Sequence, residues 1–238
     1  TFDPDIIRLM IPLNCALATQ DEPQRMEGQL IHNWDELFQR DNIPQWEDLE
    51  PNLGFLSLIK AHCSPEMKVI EIGCGLGHNA LSLHHMGFDI LATDCSINAI
   101  RRLAEMAKKE NTILKNRVLD IMNLPSDLGQ FDLVFDKGCW HSFFEFDARR
   151  KYVDHICNIL KDNGIWINSS GSSENLDDQK DPNHETYPRW KLSGIVEMVE
   201  PRFEILKVQK GSYGYHGERN FYTWETVLKK RNGQQIKD

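Results

Sequence analysis

Three carboxylates and three glycines fall at spacings suited to holding a small molecule. Glu71-Ile72-Gly73-Cys74-Gly75-Leu76-Gly77 sets glycine at alternate positions between an apolar run and a helix-like segment. Glycine there lets the backbone turn sharply and approach a ligand where any Cβ would collide. Asp94 closes a second apolar run, 21 residues after Gly73, at a position where a carboxylate accepts both hydroxyls of a ribose. Asp120 and Ile121 follow a third run. An aspartate there accepts from an adenine amino group while its neighbour lies on the ring. Each feature also has a plainer reading: the loop as a tight turn, Asp94 as a turn or cap residue, Asp120 as a strand-end aspartate. The combination favours ligand binding.

Details of the loop narrow the ligand. A dinucleotide fingerprint needs its third glycine at position 78, which is His78, whereas here the third glycine is Gly77. Glu71, an acid before the first glycine, suits a sulfonium cofactor with a cationic amino acid tail. A nicotinamide dinucleotide has no such ammonium to bind. The loop therefore favours a sulfonium cofactor with an amino acid tail over a nicotinamide dinucleotide.

A further chemical segment is Phe131-Asp132-Leu133-Val134-Phe135-Asp136-Lys137-Gly138-Cys139-Trp140-His141. Cys139, Trp140 and His141 are candidates to line a second pocket, with Asp136 or His141 steering or deprotonating a nucleophile. The alternatives are that Asp136 caps the loop and that Trp140 is core.

These residues need a scaffold, and the pattern supplies one. Apolar runs at 68–72, 88–93, 116–120, 131–135 and 165–168 read as strands, with Gly164 stopping the helix before the last of them. Helical periodicity covers 78–85, with Gly87 as its C-terminal cap, and 97–111, with Ser96 as its N-cap; it returns at 149–161 and 191–200. Such alternation predicts an α/β fold with a doubly wound, mostly parallel sheet. Two final runs, 203–208 and 220–228, have no helix between them and predict a terminal hairpin with an antiparallel strand at or near the edge. Polar stretches at 19–29 and 171–187 read as loops.

Glu71-Ile72-Gly73-Cys74-Gly75-Leu76-Gly77 and Asp89-Ile90-Leu91-Ala92-Thr93-Asp94 resemble the first two motifs of class I S-adenosylmethionine-dependent methyltransferases, a likeness running over roughly residues 55–231. The resemblance implies a Rossmann-like seven-stranded sheet with its last strand antiparallel. It implies Glu71, Gly73, Gly75 and Gly77 near the methionine portion, Asp94 on the ribose and Asp120 near the adenine, with Cys74, Cys95, Ile121 and Asp136 in the same pocket. Trp34-Asp35-Glu36-Leu37-Phe38 and Ile43-Pro44-Gln45-Trp46 resemble the aromatic arm of the thiopurine, thiol and halide methyltransferases and their tellurite-resistance relatives. This implies an N-terminal helical arm or lid over residues 1–54, a catalytic domain over 55–238, and Trp34 and Trp46 with Cys139 and Trp140 against the acceptor. The group has Pro directly before Trp; Gln45 intervenes here and shifts the arm's register. An amphipathic helix with its staple explains the same aromatic residues.

The implied function is transfer of a methyl group to a small molecule, with a thiol or other soft nucleophile as the candidate acceptor. Asp136-Lys137-Gly138 also resembles a stretch in a protein lysine methyltransferase group, for which an acidic groove around Glu145 and Asp147 would speak. A non-catalytic cofactor-binding module is the third alternative.

Bulk properties set limits. The 238 residues carry 27 Lys and Arg against 36 Asp and Glu, a net charge of −9. That balance repels phosphate backbones and anionic lipid, so no nucleic-acid or membrane partner is expected. Six cysteines without a CxxC pair read as reduced thiols in a cytoplasmic protein. The stretch 6–18 reads as a helix or arm, interrupted by Arg8, Pro12 and Asn14, and no metal-ligand spacing occurs.

Overall fold

Short apolar runs become strands here because helices cover both faces of the sheet they form. The computed structural model describes residues 34–39, 50–143, 145–174, 190–213 and 221–232. A short helix α1 (34–39) precedes α2 (Leu53–Lys60), β1 (Lys68–Ile72), α3 (His78–His85), β2 (Asp89–Asp94), α4 (Ile97–Lys109) and β3 (Lys115–Val118). β4 (Phe131–Lys137), a single tight turn (Trp140–Ser142), α5 (Phe146–Ile159), β5 (Leu160–Gly171), α6 (Leu192–Val199), β6 (Phe203–Tyr213) and β7 (Phe221–Lys230) follow. The division expected after residue 54 falls inside α2, and Trp46 and the 19–29 loop lie outside the described residues.

The seven strands order as β3-β2-β1-β4-β5-β7-β6. The first five pair in parallel, whereas β7 runs antiparallel to both β5 and β6. The terminal hairpin is therefore present, with β6 at the edge and the antiparallel β7 one strand in. Parallel strands buried on both faces read as nearly continuous apolar sequence, and four of the five β1 residues are buried. One face carries Phe55, Leu83, Leu103, Leu133 and Ile167 under α2, α3 and α4. The other carries Trp140, Tyr152, Ile156, Trp166 and Phe203 under α5 and α6.

Local signals hold at several ends. Ser96 Oγ accepts from the Ala99 N–H and caps α4, and Gly87 takes φ 89° after α3. The crossover before β5 differs from its sequence reading. α5 starts at Phe146, ahead of the expected Arg149, and yields to strand at Leu160 because Leu160 pairs with Phe131 and Lys161 bonds Asp132. Asn163, at φ 60°, makes the bend where Gly164 was expected to stop a helix.

Candidate active site

Backbone builds the first half of the site. Gly73, Gly75 and Gly77 take φ of 68°, 53° and 77°, a region that side chains strain to enter. The loop is tied down by its neighbours: the Cys74 N–H donates to Thr93 O at 2.8 Å, and Thr93 Oγ1 donates to Glu71 O at 2.6 Å. A Cβ on Gly73 would sit 2.7 Å from Cys139 Sγ, and one on Gly77 would overlap Leu103. The loop is thus clasped by α4 on one side and by the segment after β4 on the other.

Asp94 joins these pieces. Its Oδ2 accepts from Gly75 N–H and its Oδ1 from Ser96 N–H, each at 2.9 Å. Burial pushes its carboxyl pKa up, and the Ser96 and Gly75 N–H groups pull it back. Each oxygen keeps a lone pair for another donor. The third loop hangs from the same residue, since Leu119 N–H donates to Asp94 O at 2.8 Å. Asp120 Oδ1 then accepts from Met122 N–H at 2.9 Å, and Ile121 beside it is buried. Cys95, next to Asp94, is held protonated by burial first and by Asp94, Cys139 and Asp120 after it. Asp94 and Asp120, both of which act on Cys95, lie in a loop cluster with three glycines at left-handed φ, two of which leave no room for a Cβ. That is the chemistry an adenosine with a sulfonium and an ammonium requires.

The arm helix α1 docks on this half. Asp35 Oδ1 accepts from Ser96 Oγ at 2.8 Å and Asn98 N–H at 3.0 Å, placing a carboxylate at the N-terminus of α4. Phe38 packs with Leu76 of the glycine loop and with Ala99, and Trp34 lies against them. Trp34 was expected against the acceptor, whereas the structure shows it packed on the glycine loop; Asp35, which anchors its helix, was given no role from the sequence.

Buried side chains build the second half, and they correct three expectations. Asp136 has no exposed surface. Its Oδ1 accepts from Trp140 N–H (3.1 Å) and Asn168 Nδ2 (3.0 Å), and its Oδ2 from Trp166 Nε1 (2.8 Å) and Asn168 Nδ2 (3.1 Å). Burial raises its pKa to about 6 against the pull of these donors. Asp136 is a loop cap and strand tie in this arrangement, not a side chain presented to a nucleophile. His141 Nδ1 accepts from Gly171 N–H at 2.8 Å, so the ring proton of the neutral form sits on Nε2. Burial, then Lys137 and Arg149, lower its pKa to about 3. A base that weak retains no proton near neutral pH, which argues against the expected deprotonating role. Trp140 is fully buried, with ring centroids 4.2 Å from Trp190 and 5.0 Å from Trp166. It is core rather than pocket lining. Cys139 packs against Gly73 of the glycine loop. Glu145 and Asp147 are exposed at the start of α5.

Among the described residues, no group of three His, Cys, Asp or Glu is placed to hold a metal ion, and no helix is long and apolar enough to cross a membrane.

Comparison with known proteins agrees with this geometry. The profile of a methyltransferase domain family matches residues 69–164. The glycine/sarcosine N-methyltransferase of Parasynechococcus marenigrum is 28% identical over 170 residues, 65% of this chain and 59% of the relative. Human EEF1A lysine methyltransferase 2 is 26% identical over 155 residues, 58% of this chain and 66% of the relative. The chain therefore spans under two thirds of either relative's length. The solved structure of an S-adenosylmethionine-dependent methyltransferase from Methanosarcina mazei superposes with a TM-score of 0.63 at 17% identity, covering 73% of this chain and 96% of that one.

Proposed function

We propose that this chain is an S-adenosylmethionine-dependent methyltransferase that delivers the methyl group to a small-molecule acceptor, a thiol or another soft nucleophile. The observation that carries this reading is the state of the two expected bases. Asp136 is consumed by Trp140, Trp166 and Asn168, and His141 is held neutral on Gly171. An acceptor that ionises easily in water needs neither. A bound S-adenosylmethionine would supply an electrophilic methyl carbon with a neutral thioether as its leaving group, and the acceptor's proton would go to water.

The remaining work is alignment, which can supply much of the rate in an in-line displacement. Gly73, Gly75 and Gly77 with Glu71 would hold the methionine portion, Asp94 the ribose, and Asp120 with Ile121 the adenine; Cys74 and Cys95 line the same loops. Cys139, packed on Gly73, would border the reacting carbon and set how closely an acceptor approaches. Trp34, carried on α1, would close the site from the arm. Cys63, Cys74, Cys95, Cys139 and Cys157 are free thiols, which supports placing this chemistry in a reducing compartment such as the cytoplasm.

A second reading, a protein lysine methyltransferase, is favoured by Asp136-Lys137-Gly138 and by the named activity of the human relative. One experiment separates the two. With methyl-labelled cofactor, a panel of thiols, halides and amines should yield labelled small products and S-adenosylhomocysteine. Label found instead in acid-precipitated protein from an extract, with none in the panel, would replace the first reading by the second.

A further inference from the structure

A polar row, buried at its centre and partly exposed at both ends, crosses the sheet beyond the post-β4 loop. Register aligns Lys137 on β4 with Ser169 on β5, Ser169 with Glu225 on β7, and Glu225 with Gln209 on β6. Aligned partners share a face, and Thr223, two residues before Glu225, shares it too. Glu225 is 4% exposed and Thr223 is fully buried. Gln209 Nε2 donates to Glu225 Oε2 at 2.7 Å. No Lys or Arg among the described residues pairs with this carboxylate, and the hydroxyl of Thr223 has no hydrogen-bond partner. The carboxylate lies over Gly211, where any Cβ would overlap it. Buried carboxylates are ordinarily paired with a cation or a metal, so this one is oriented and cradled but lacks its counter-charge.

Its position relates it to the acceptor side. Gly138 N–H donates to Ser169 O at 2.9 Å, so the loop carrying Cys139 hangs from the strand beside Glu225. β4 and β7 are two strand spacings apart, roughly 10 Å.

We propose that Glu225, oriented by Gln209 and set beside Thr223, binds a cationic amino group on the methyl acceptor. This rests on the small-molecule reading above and narrows the substrate class to soft nucleophiles that carry an ammonium a few bonds away. Lys137, at the other end of the row, would repel that ammonium and favour its placement at Glu225.

Two measurements test this. The first compares kcat/KM for α,ω-aminothiols of two, four and six carbons with the matching hydroxythiols. The amino compound of best length should be preferred by at least about tenfold, as expected for a hydrogen bond to a charged group. Glu225→Gln keeps the shape and should bring that ratio close to one, whereas Asp94→Ala should lower turnover of both classes alike. The second titrates the S-adenosylhomocysteine complex with 6-aminohexanol and with 1,6-hexanediol, following heat. The amino alcohol should bind about tenfold more tightly in the native chain and lose that advantage in Glu225→Gln; melting curves establish that the variant is folded. Equal affinity for the two alcohols, or an advantage that survives the substitution, overturns the proposal whether or not any thiol is methylated. Turnover of no thiol, with the binding preference intact, would instead remove the soft-nucleophile reading and leave the ammonium site standing.

Discussion

Between β1 and β3 the site is made of backbone, and from β4 to β7 it is made of buried side chains. On the first side, Gly73, Gly75 and Gly77 supply shape, and one carboxylate, Asp94, gathers the N–H groups of Gly75 and Ser96. On the second, Asp136 gathers an indole, an amide and one backbone N–H, all inside the core. The same residue type has different duties. Asp94 stands at a loop, where its remaining lone pairs can meet a ligand. Asp136 stands under a loop, where its oxygens are already engaged. A buried polar network is costly to break in part, so damage between β4 and β7 should appear as lost stability and damage between β1 and β3 as lost binding.

Substitutions can sharpen or break that contrast. Asp136→Ala leaves the Trp166 indole and the Asn168 amide without an acceptor, so chemical denaturation should show a loss of about 3 kcal/mol or more. Cofactor affinity of the fraction still folded should change less than about twofold, an allowance well inside the tenfold that 1.4 kcal/mol represents. An affinity that fell with stability would erase the distinction. Gly77→Ala should do the reverse in part. Strain at φ 77° and the clash with Leu103 cost about 2 kcal/mol, and calorimetry should show affinity weakened by roughly tenfold, the equivalent of 1.4 kcal/mol.

A smaller effect concerns pH. The folded pKa of His141, about 3, lies below the ordinary 6.5, so its neutral form stabilises the fold above pH 6.5 and that contribution is lost as pH falls below it. His141→Asn retains an acceptor for Gly171 N–H without titrating. Between pH 7 and pH 5 the native chain should lose about 1 to 2 kcal/mol more than the variant, read from denaturation curves at each pH. Equal losses would mean that His141 is protonated in the fold. Smallest is Asp35→Ala, which strips Ser96 Oγ and Asn98 N–H of their acceptor. It should cost about 1 kcal/mol and expose Trp34, seen as a red shift of its fluorescence.

The contrast also explains what was legible in the sequence. The glycine loop, Asp94 and the Ser96 cap are local devices, each readable within a few residues, and strand alternation placed them at the carboxyl ends of neighbouring strands. Ring burial is not local. Whether Trp140 faced a pocket or the core depended on Trp166, Trp190 and Tyr152, which folding brings beside it. His141 read as a base because no pattern shows that a strand end at Gly171 will occupy its Nδ1. Glu225 was invisible for the same reason, since only the β5–β7 and β6–β7 registers set it beside Ser169 and Gln209. The early end of α5 was missed because Leu160 is drawn into strand by Phe131, against its helical periodicity.

The most direct test of the account is calorimetric titration of the native chain and Asp94→Ala with S-adenosylmethionine, with NAD as the control. The account predicts micromolar binding of the methyl donor, no binding of NAD, and roughly 10- to 100-fold weaker donor binding in the variant, the size of one or two hydrogen bonds lost from a charged acceptor. Donor binding unaffected by the substitution, or no donor binding in the native chain, would contradict it.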